Sequence, residues 1–277
     1  MNNIKKFLIK NSSNILTVIG IGGVIATTYS SVKSTVKAVR LIDQFSDEKL
    51  NKAGIKVWSI GSPIGKVDIT TNFNEYEKKI VRACEIAKIF NCENIRMFSF
   101  FKALQSKDQV ITYLKRMVEI AKKYNVKMCH ENEKDIYGDI EPRCTEILNE
   151  VPGLYYVYDP ANFIQCHQDP MQSLKMLHSR AYYFHIKDAL MATGEVVPAG
   201  KGDGRLQEVV NLIKDDKVLT IEPHLKVFAG YANVDKTELR NKYEYKTNEE
   251  AFDAAVFHTK ALLKNAGYQE SEKGFNK

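Results

Sequence analysis

The segment 124–133, Tyr-Asn-Val-Lys-Met-Cys-His-Glu-Asn-Glu, is an apolar-leaning run that ends in a carboxylate at Glu131, with a further acid behind it. The same pattern recurs three times downstream, where strand-like runs end in Asp159, His185 and Glu222. A helix-like run follows each of them. Because all strands of a parallel α/β barrel point the same way, we expect these four side chains to meet on one rim of the barrel.

Six strand–helix units can be recognised between residues 55 and 265. The chain has 277 residues, and a complete (β/α)8 barrel needs eight strands over about 250 residues. Residues 1–44 do not resemble the first two strands of such a barrel. The sequence therefore predicts an α/β fold of the (β/α)8 TIM-barrel type that is incomplete, with an atypical N-terminal helical segment at 1–44 and the barrel domain at 45–277.

Periodicity and capping signals place the individual elements. Asn72-Phe73-Asn74-Glu75 and Thr247-Asn248-Glu249-Glu250 resemble capping boxes, in which the first side chain accepts a hydrogen bond from the backbone three residues on. Strands are predicted at 55–60, 94–100, 124–131, 154–158, 181–184 and 218–221. Helices are predicted at 72–90, from 106 onward, and at 142–151, 170–179, 206–215 and 247–265, with residues 188–204 as one long loop.

The N-terminal segment differs from the rest of the chain. Residues 11–32 contain no charged side chain, and lysines flank them on both sides. A membrane-spanning helix needs about 20 mostly apolar residues, whereas the strongly apolar part here is shorter and contains glycines. The segment is consistent with a weak transmembrane helix, an uncleaved signal-like anchor, or a helix packed on the barrel. We therefore expect a cytoplasmic protein with a potential membrane contact through residues 11–32.

The net charge of +6 resides in this N-terminal segment. Residues 1–42 carry six basic side chains and no acidic one. The remainder of the chain therefore contains 34 of the 40 basic residues together with all 34 acidic residues, and its net charge is zero. A neutral body argues against nucleic acid as a partner, since nucleic-acid-binding domains carry an excess of basic residues. The five cysteines form no C-x-x-C pair, which indicates reduced thiols in the cytoplasm.

A site of two glutamates, one aspartate and one histidine is rich in oxygen ligands and has one imidazole. Such a donor set suits Mn²⁺, Mg²⁺ or Co²⁺ better than a closed thiolate zinc site does. The structural alternative for each carboxylate taken alone is a salt bridge at the end of a strand. Four metal-capable side chains at four successive strand ends favour a functional site.

Five motifs carry a resemblance to a known family. They are His130-Glu131-Asn132-Glu133, Asp159-Pro160-Ala161-Asn162-Phe163, His185-Ile186-Lys187-Asp188, Gly200-Lys201-Gly202-Asp203-Gly204 and Glu222-Pro223-His224. Over residues 49–266 the chain resembles the sugar phosphate isomerase/epimerase family of the xylose-isomerase-like barrel superfamily. The resemblance implies one divalent metal, most commonly Mn²⁺, no organic cofactor, and a small sugar or sugar phosphate as substrate. It implies Glu131, Asp159, His185 and Glu222 as metal ligands, with Glu131 and Glu222 also acting as the catalytic acid and base.

Several neighbours of these ligands are candidates for supporting roles. Lys187 shares the strand face of His185 and is predicted to bind substrate, with a surface salt bridge as the alternative. Asp188 is predicted to orient it. His224 is predicted to support Glu222 from behind, and His130 to face away from the site because neighbours on a strand alternate. Further predicted substrate contacts are Asn162, Lys201 and Arg205.

Two other functions are compatible with parts of the sequence. The first is a non-catalytic, membrane-associated or phage-derived fusion that carries a barrel remnant, in which case the missing strands would abolish activity. The second is a metal-dependent nuclease similar to endonuclease IV, which would bind two or three metals. The nuclease is disfavoured because Asn162 stands where such enzymes have a histidine, three residues after Asp159, and because the chain has only six histidines.

Overall fold

The computed structural model describes residues 56–226, 243–271 and 274–277. Its main feature is a six-stranded parallel sheet in which each strand pairs with the next one along the chain. The strands are β1 (Ser59–Gly61), β2 (Asn94–Met97), β3 (Lys127–Glu131), β4 (Tyr155–Tyr158), β5 (Tyr183–Ile186) and β8 (Val218–Ile221). This order confirms the predicted α/β fold of TIM-barrel type with six recognisable βα units.

Helices follow the successive strands of the sheet. They are α1 (Phe73–Ile89), α2 (Lys107–Lys123), α3 (Glu141–Glu150), α4 (Pro160–Gln165), α5 (Pro170–Leu177), α6 (Leu206–Asn211) and α7 (Asn248–Asn265). A short 3-10 helix (His178–Arg180) follows α5. Two antiparallel hairpins complete the described elements: β6 (Asp188–Ala189) with β7 (Val196–Val197), and β9 (Gln269–Ser271) with β10 (Gly274–Asn276).

The predicted caps at Asn72 and Thr247 are confirmed, whereas Ser106, at the start of the helix predicted from 106 onward, makes no side-chain capping hydrogen bond. The side chain of Asn72 accepts a hydrogen bond from the Glu75 amide, and that of Thr247 accepts one from the Glu250 amide. On α1 and α2 the apolar side chains spaced three or four residues apart are buried; they are Ile80, Cys84, Ala87, Val110, Leu114, Met117 and Ala121. These residues pack in the core cluster between the two helices and strands β1 to β3.

Strand alternation places the predicted metal ligands inside the barrel. Cys129, Val157 and Tyr183 form a buried cluster in the interior, with Trp58 packed against it. Each of those three residues lies two positions before a predicted ligand and therefore on the same strand face. An apolar layer thus supports the ligands from below. Trp58, whose ring centroid lies 4.9 Å from that of Tyr183, belongs to this layer.

Three short elements were not predicted. The six-residue helix α4 begins directly after Asp159, which caps it by accepting a hydrogen bond from the Asn162 amide. Its signals, an Asx cap followed by proline at the first helical position, were present in the sequence. The hairpin β6–β7 lies within the segment predicted as a loop, and β9–β10 follows the last predicted helix. Their strands of two or three residues are too short to show an alternating pattern.

The N-terminal segment 1–44, its potential membrane helix at 11–32 and the predicted absence of the first two barrel strands lie outside the described residues. Within the described ranges, no helix combines the length and the apolar character needed to cross a bilayer. All five cysteines lie in the described part and are free, and four of them are buried.

The tight packing of α2 leads to a stability prediction. Leu114 is fully buried and Leu104 is 46% exposed. We expect Leu114→Ala to lower the free energy of unfolding by about 2–5 kcal/mol, because it removes buried methyl groups and leaves a cavity. The same truncation at Leu104, the matched control, is expected to cost less than about 1 kcal/mol. Urea denaturation followed by circular dichroism measures both, and equal losses would contradict the described core.

Candidate metal centre

The four predicted ligands lie together at the carboxyl ends of their strands. One ligand atom from each of Glu131, Asp159, His185 and Glu222 can be chosen so that all four atoms lie within 4.8 Å of one another. The side chains of Glu131, Asp159 and His185 are almost fully buried, whereas that of Glu222 is 23% exposed. Of the four side chains, that of Glu222 is therefore the one most accessible to solvent.

Carboxylates crowd around a single imidazole nitrogen in this group. Nδ1 of His185 lies 3.0 Å from Glu131 Oε1, 2.9 Å from Glu222 Oε2 and 3.6 Å from Asp159 Oδ2. Nδ1 carries at most one N–H, so it can donate a well-aligned hydrogen bond to one of these three oxygens and not to all of them. Asp159 Oδ2 and Glu131 Oε2 are buried atoms without a hydrogen-bond partner of good geometry. A divalent cation satisfies such a donor set, so the residues fit a metal ion.

The pKa values reflect the mutual dependence of these charges. Burial alone would lower the pKa of His185, but the carboxylates of Glu131 and Glu222 outweigh it and hold the pKa well above its usual range. Burial alone would raise the pKa of Glu222, but His185 and Arg96 hold it well below its usual range. The pKa of Asp159 is likewise lowered, by Lys187 and His185 against the effect of burial. The ligand carboxylates Asp159 and Glu222 are thus kept ionised by the cations around them.

Two asparagines and Lys187 fix the position of Asp159. The side chain of Asn132 donates to the Asp159 carbonyl and accepts from its amide. Asn162 donates to Glu131 Oε1 at 3.2 Å and accepts from the Lys187 ammonium at 2.8 Å. Nζ of Lys187 also lies 2.8 Å from Asp159 Oδ2. This network fixes the distance between the Glu131 carboxylate on β3 and Asp159, which directly follows β4.

Lys187 and Asn162 were predicted to contact substrate, and both are almost fully buried. Their polar atoms are engaged with the metal-ligand candidates, so in this structure they position those carboxylates. A direct contact of either residue with a substrate stays a prediction.

Arg96 is a member of the site that sequence reasoning missed. It lies on β2, and its Nη1 is 2.8 Å from Glu222 Oε1 and 3.1 Å from Glu131 Oε2. A single guanidinium nitrogen therefore links the two glutamates that were predicted to act as acid and base. The available signal was one arginine inside the otherwise apolar run at 95–98, at a position whose parity points into the barrel.

A second cation that was not predicted lies in the loop after β1. Nζ of Lys66 is 2.8 Å from Glu133 Oε2, and both side chains are largely buried. Glu133 follows Glu131 by two residues, so this ion pair lies next to the metal-ligand group. The pKa of Glu133 is lowered by Lys66 and Lys187 in spite of its burial.

Asp188 has a different role from the predicted one of orienting Lys187, which is held by Asp159 and Asn162. Its carboxylate accepts hydrogen bonds from the amides of Gly200, Gly202 and Gly204, and from its own neighbour Ala189. A Cβ at position 202 would lie 2.5 Å from Asp188 Oδ1. Glycine is needed there because the backbone must approach the carboxylate closely. Asp188 thus anchors the glycine-rich loop.

Lys201 and Arg205, the predicted substrate contacts in and beside this loop, have exposed side chains. Arg205 forms an ion pair with Glu208 at 3.4 Å. The structure does not bring either residue into the group of four ligand candidates, and their contact with a substrate stays a prediction.

The two histidines adjacent to the ligands differ in their surroundings. His130 is fully buried and its Nε2 lies 2.9 Å from Ser99 Oγ, on the opposite strand face from Glu131. Burial lowers its pKa to about 3. His224 lies on the site side, with Nε2 3.9 Å from Glu222 Oε1, and burial lowers its pKa to about 4. The neutral imidazole of His224 thus lies beside Glu222, and its supporting role stays a prediction.

The anchoring of the glycine-rich loop can be tested with Asp188→Asn. The amide offers one acceptor oxygen to four backbone N–H groups, so buried donors lose their partners at a cost of about 1–3 kcal/mol. We expect faster amide hydrogen exchange at residues 200–204 and a lower melting temperature. Asp215→Asn, at an exposed position, is the matched control. Unchanged exchange at residues 200–204 would show that Asp188 does not hold the loop.

Comparison with known proteins agrees with this architecture. A sequence profile of the family described as xylose isomerase-like TIM barrel matches residues 37–237. Among solved structures, the chain is similar to the IOLI protein with a bound zinc atom, with a TM-score of 0.64 and 18% identity over 83% of this chain and 86% of that one. A search of curated protein sequences finds no match.

Two further structures have similar scores. The probable 3-DHS dehydratase AsbF from Bacillus anthracis has a TM-score of 0.60 and 17% identity over 80% of this chain and 86% of that one. D-Allulose 3-epimerase from Methylomonas sp. has a TM-score of 0.60 and 11% identity over 78% of this chain and 80% of that one. Likeness at these identities establishes the fold, and the profile match covers most of the chain. This chain therefore belongs to the xylose isomerase-like TIM barrel family.

Proposed function

We propose that this chain is a divalent-metal-dependent isomerase or epimerase that moves a proton on a carbon next to the carbonyl of a sugar or sugar phosphate. The observation that carries the proposal is the convergence of three carboxylates on Nδ1 of His185 at the carboxyl end of a parallel barrel sheet. Active sites of TIM-barrel enzymes lie at this end. Membership in a family whose similar structures include sugar epimerases supports the same class of reaction.

The metal would be held by Glu131, Asp159, His185 and Glu222. Three carboxylates with one imidazole favour Mn²⁺, with Mg²⁺ or Co²⁺ as alternatives. Zn²⁺ also accepts this donor set, and one similar structure contains zinc. When bound, such an ion supplies Lewis acidity, which polarises a carbonyl oxygen and so acidifies the adjacent C–H group.

Glu131 and Glu222 are proposed to move the proton. They come from strands separated by two others in the sheet, so they approach the centre of the barrel mouth from different directions. Removal of a proton by one carboxylate and return by the other inverts the carbon, which is epimerisation. Return to the neighbouring carbon isomerises the sugar. The partial exposure of Glu222 leaves it open to a substrate, whereas Glu131 is enclosed.

The surrounding residues are proposed to prepare these carboxylates. The Arg96 Nη1 that contacts both glutamates holds them at a fixed separation and favours the ionised form of Glu222. Asn162 and Lys187 hold Glu131 and Asp159 in place. Lys201, Arg205 and His224 remain candidates for contacting the substrate at the mouth. A cytoplasmic location, suggested by the free cysteines, is part of the same proposal.

Metal stoichiometry gives the first test. After chelation and reloading, we expect one Mn²⁺ per chain by elemental analysis, with affinity reduced at least tenfold, on the order of 1.4 kcal/mol, in Glu131→Gln and Asp159→Asn. The control Glu119→Gln removes a carboxylate at an exposed position and should leave binding unchanged. Two or three ions per chain would favour a nuclease, and no ion would favour a non-catalytic remnant.

Proton transfer itself can be observed without knowing the product. Metal-loaded protein incubated with a panel of ketoses in D2O should introduce deuterium next to the carbonyl of at least one of them, measured by NMR. Loss of a general base costs roughly 10²–10⁴-fold, so Glu222→Gln should lower the exchange rate by at least about 100-fold. Elimination of water without exchange would instead indicate a dehydratase.

A further inference from the structure

Arg96 has hydrogen-bonding capacity that the two glutamates do not use. Among the described residues, its ion pairs with Glu131 and Glu222 are both made through Nη1. Its Nε is buried and has no hydrogen-bond partner, although the side chain as a whole is 15% exposed. The Nε–Nη2 edge of a guanidinium is the fork that binds a carboxylate or phosphate through two parallel hydrogen bonds. An oxyanion that docks on this edge, beside the metal-ligand group, would satisfy the buried Nε.

A second cation is fixed on the same aromatic ring. The guanidinium of Arg96 lies 4.9 Å from the Phe98 ring centroid, and Nζ of Lys66 lies 4.5 Å from it. Because the Phe98 amide donates to the Ile64 carbonyl at 2.8 Å, the loop that carries Lys66 is attached to the end of β2. At Gly65, where φ is +89°, a Cβ would lie 2.1 Å from the Phe98 carbonyl oxygen. The backbone of this loop is therefore fixed against β2, and Glu133 holds the Lys66 ammonium at 2.8 Å.

The charge balance of the mouth changes when a metal binds. Among the described side chains in direct contact, the carboxylates of Glu131, Asp159, Glu222 and Glu133 face three cations, Arg96, Lys66 and Lys187. A divalent cation bound by the four ligands requires a neutral His185, and with the other histidines also neutral the group then carries one net positive charge. A mouth with a net positive charge and low exposure attracts an anion, since screening by water is weak there.

We propose that the substrate is an acidic sugar, and that Arg96, with Lys66 beside it, binds the carboxylate or phosphate of that sugar next to the metal. The inference rests on the proposed function, because it is the bound divalent cation that turns the mouth positive. It distinguishes this chain from an epimerase of neutral sugars, whose substrate would offer no anion to the Nε of Arg96, which has no hydrogen-bond partner.

The test uses three ligands that differ at one carbon: D-fructose, D-fructuronate and D-fructose 6-phosphate. Their binding to the Mn²⁺-loaded full chain is measured by isothermal titration calorimetry. We expect at least one acidic ligand to bind about tenfold or more tightly than fructose, as one charge-assisted hydrogen-bond pair would give. Preference for fructuronate assigns a carboxylate, and preference for the phosphate ester assigns a phosphate.

Variants connect the preference to the named residues. Arg96→Gln should reduce the preference for the acidic ligand, measured as the ratio of its affinity to that of fructose for the same variant, to less than about threefold. Arg116→Gln, which breaks an exposed pair with Glu77, is the matched control and should retain the full preference. If Arg96→Gln does not fold, Lys66→Gln provides the second readout, with an expected severalfold loss of the preference.

The outcomes separate the two proposals. A chain that binds no Mn²⁺ overturns the proposed function and the acidic substrate with it. A chain that binds one Mn²⁺ but binds all three ligands equally overturns only the acidic substrate. A preference for an acidic ligand that survives in Arg96→Gln and in Lys66→Gln also overturns it, because another group then binds the anion.

Discussion

The crowding of three carboxylates around Nδ1 of His185 is the constraint on which the rest of the site depends. Ionised groups placed this close and this deep would repel one another and would be costly to bury unless cations lay among them. Lys187 and Arg96 supply those cations, at 2.8 Å from Asp159 and from Glu222 respectively. The parallel sheet makes the arrangement rigid, because each ligand lies at the end of a strand, or directly after it, and each strand is paired in register with its neighbour. An apolar layer that includes Cys129 and Tyr183 fills the barrel below.

The two ends of the sheet therefore serve different purposes. Trp58 and Tyr182 stack near the amino-terminal end with ring centroids 5.7 Å apart, and they contribute packing. The carboxyl end carries the charged groups and the loops that hold them. Lys66 is fixed by the loop after β1, and the glycine-rich loop is fixed by Asp188. This division is the usual one in TIM barrels, where the carboxyl end supports chemistry and the amino end supports stability.

Much of this arrangement was predictable from the sequence. A carboxylate or imidazole at each of four strand ends, together with the direction shared by parallel strands, was sufficient to place Glu131, Asp159, His185 and Glu222 on one rim. Arg96 and Lys66 were missed because a single cation in a strand or loop carries no periodic signal, and its partners lie far away in the chain. The role of Asp188 depends on backbone amides of residues 200–204, which the sequence shows only as glycines. The short helix α4 had its capping signals but too few residues for a helical pattern.

A crystal structure of the Mn²⁺-loaded protein, with anomalous diffraction recorded at the manganese edge, tests the central claim most directly. We predict one anomalous peak, about 2.0–2.3 Å from one oxygen each of Glu131, Asp159 and Glu222 and from Nδ1 of His185. Lys187 would remain on Asp159, and Arg96 would remain near the two glutamates. A peak at another place in the fold, or several peaks within the group, would contradict the assignment of these four residues as the ligands of a single catalytic metal.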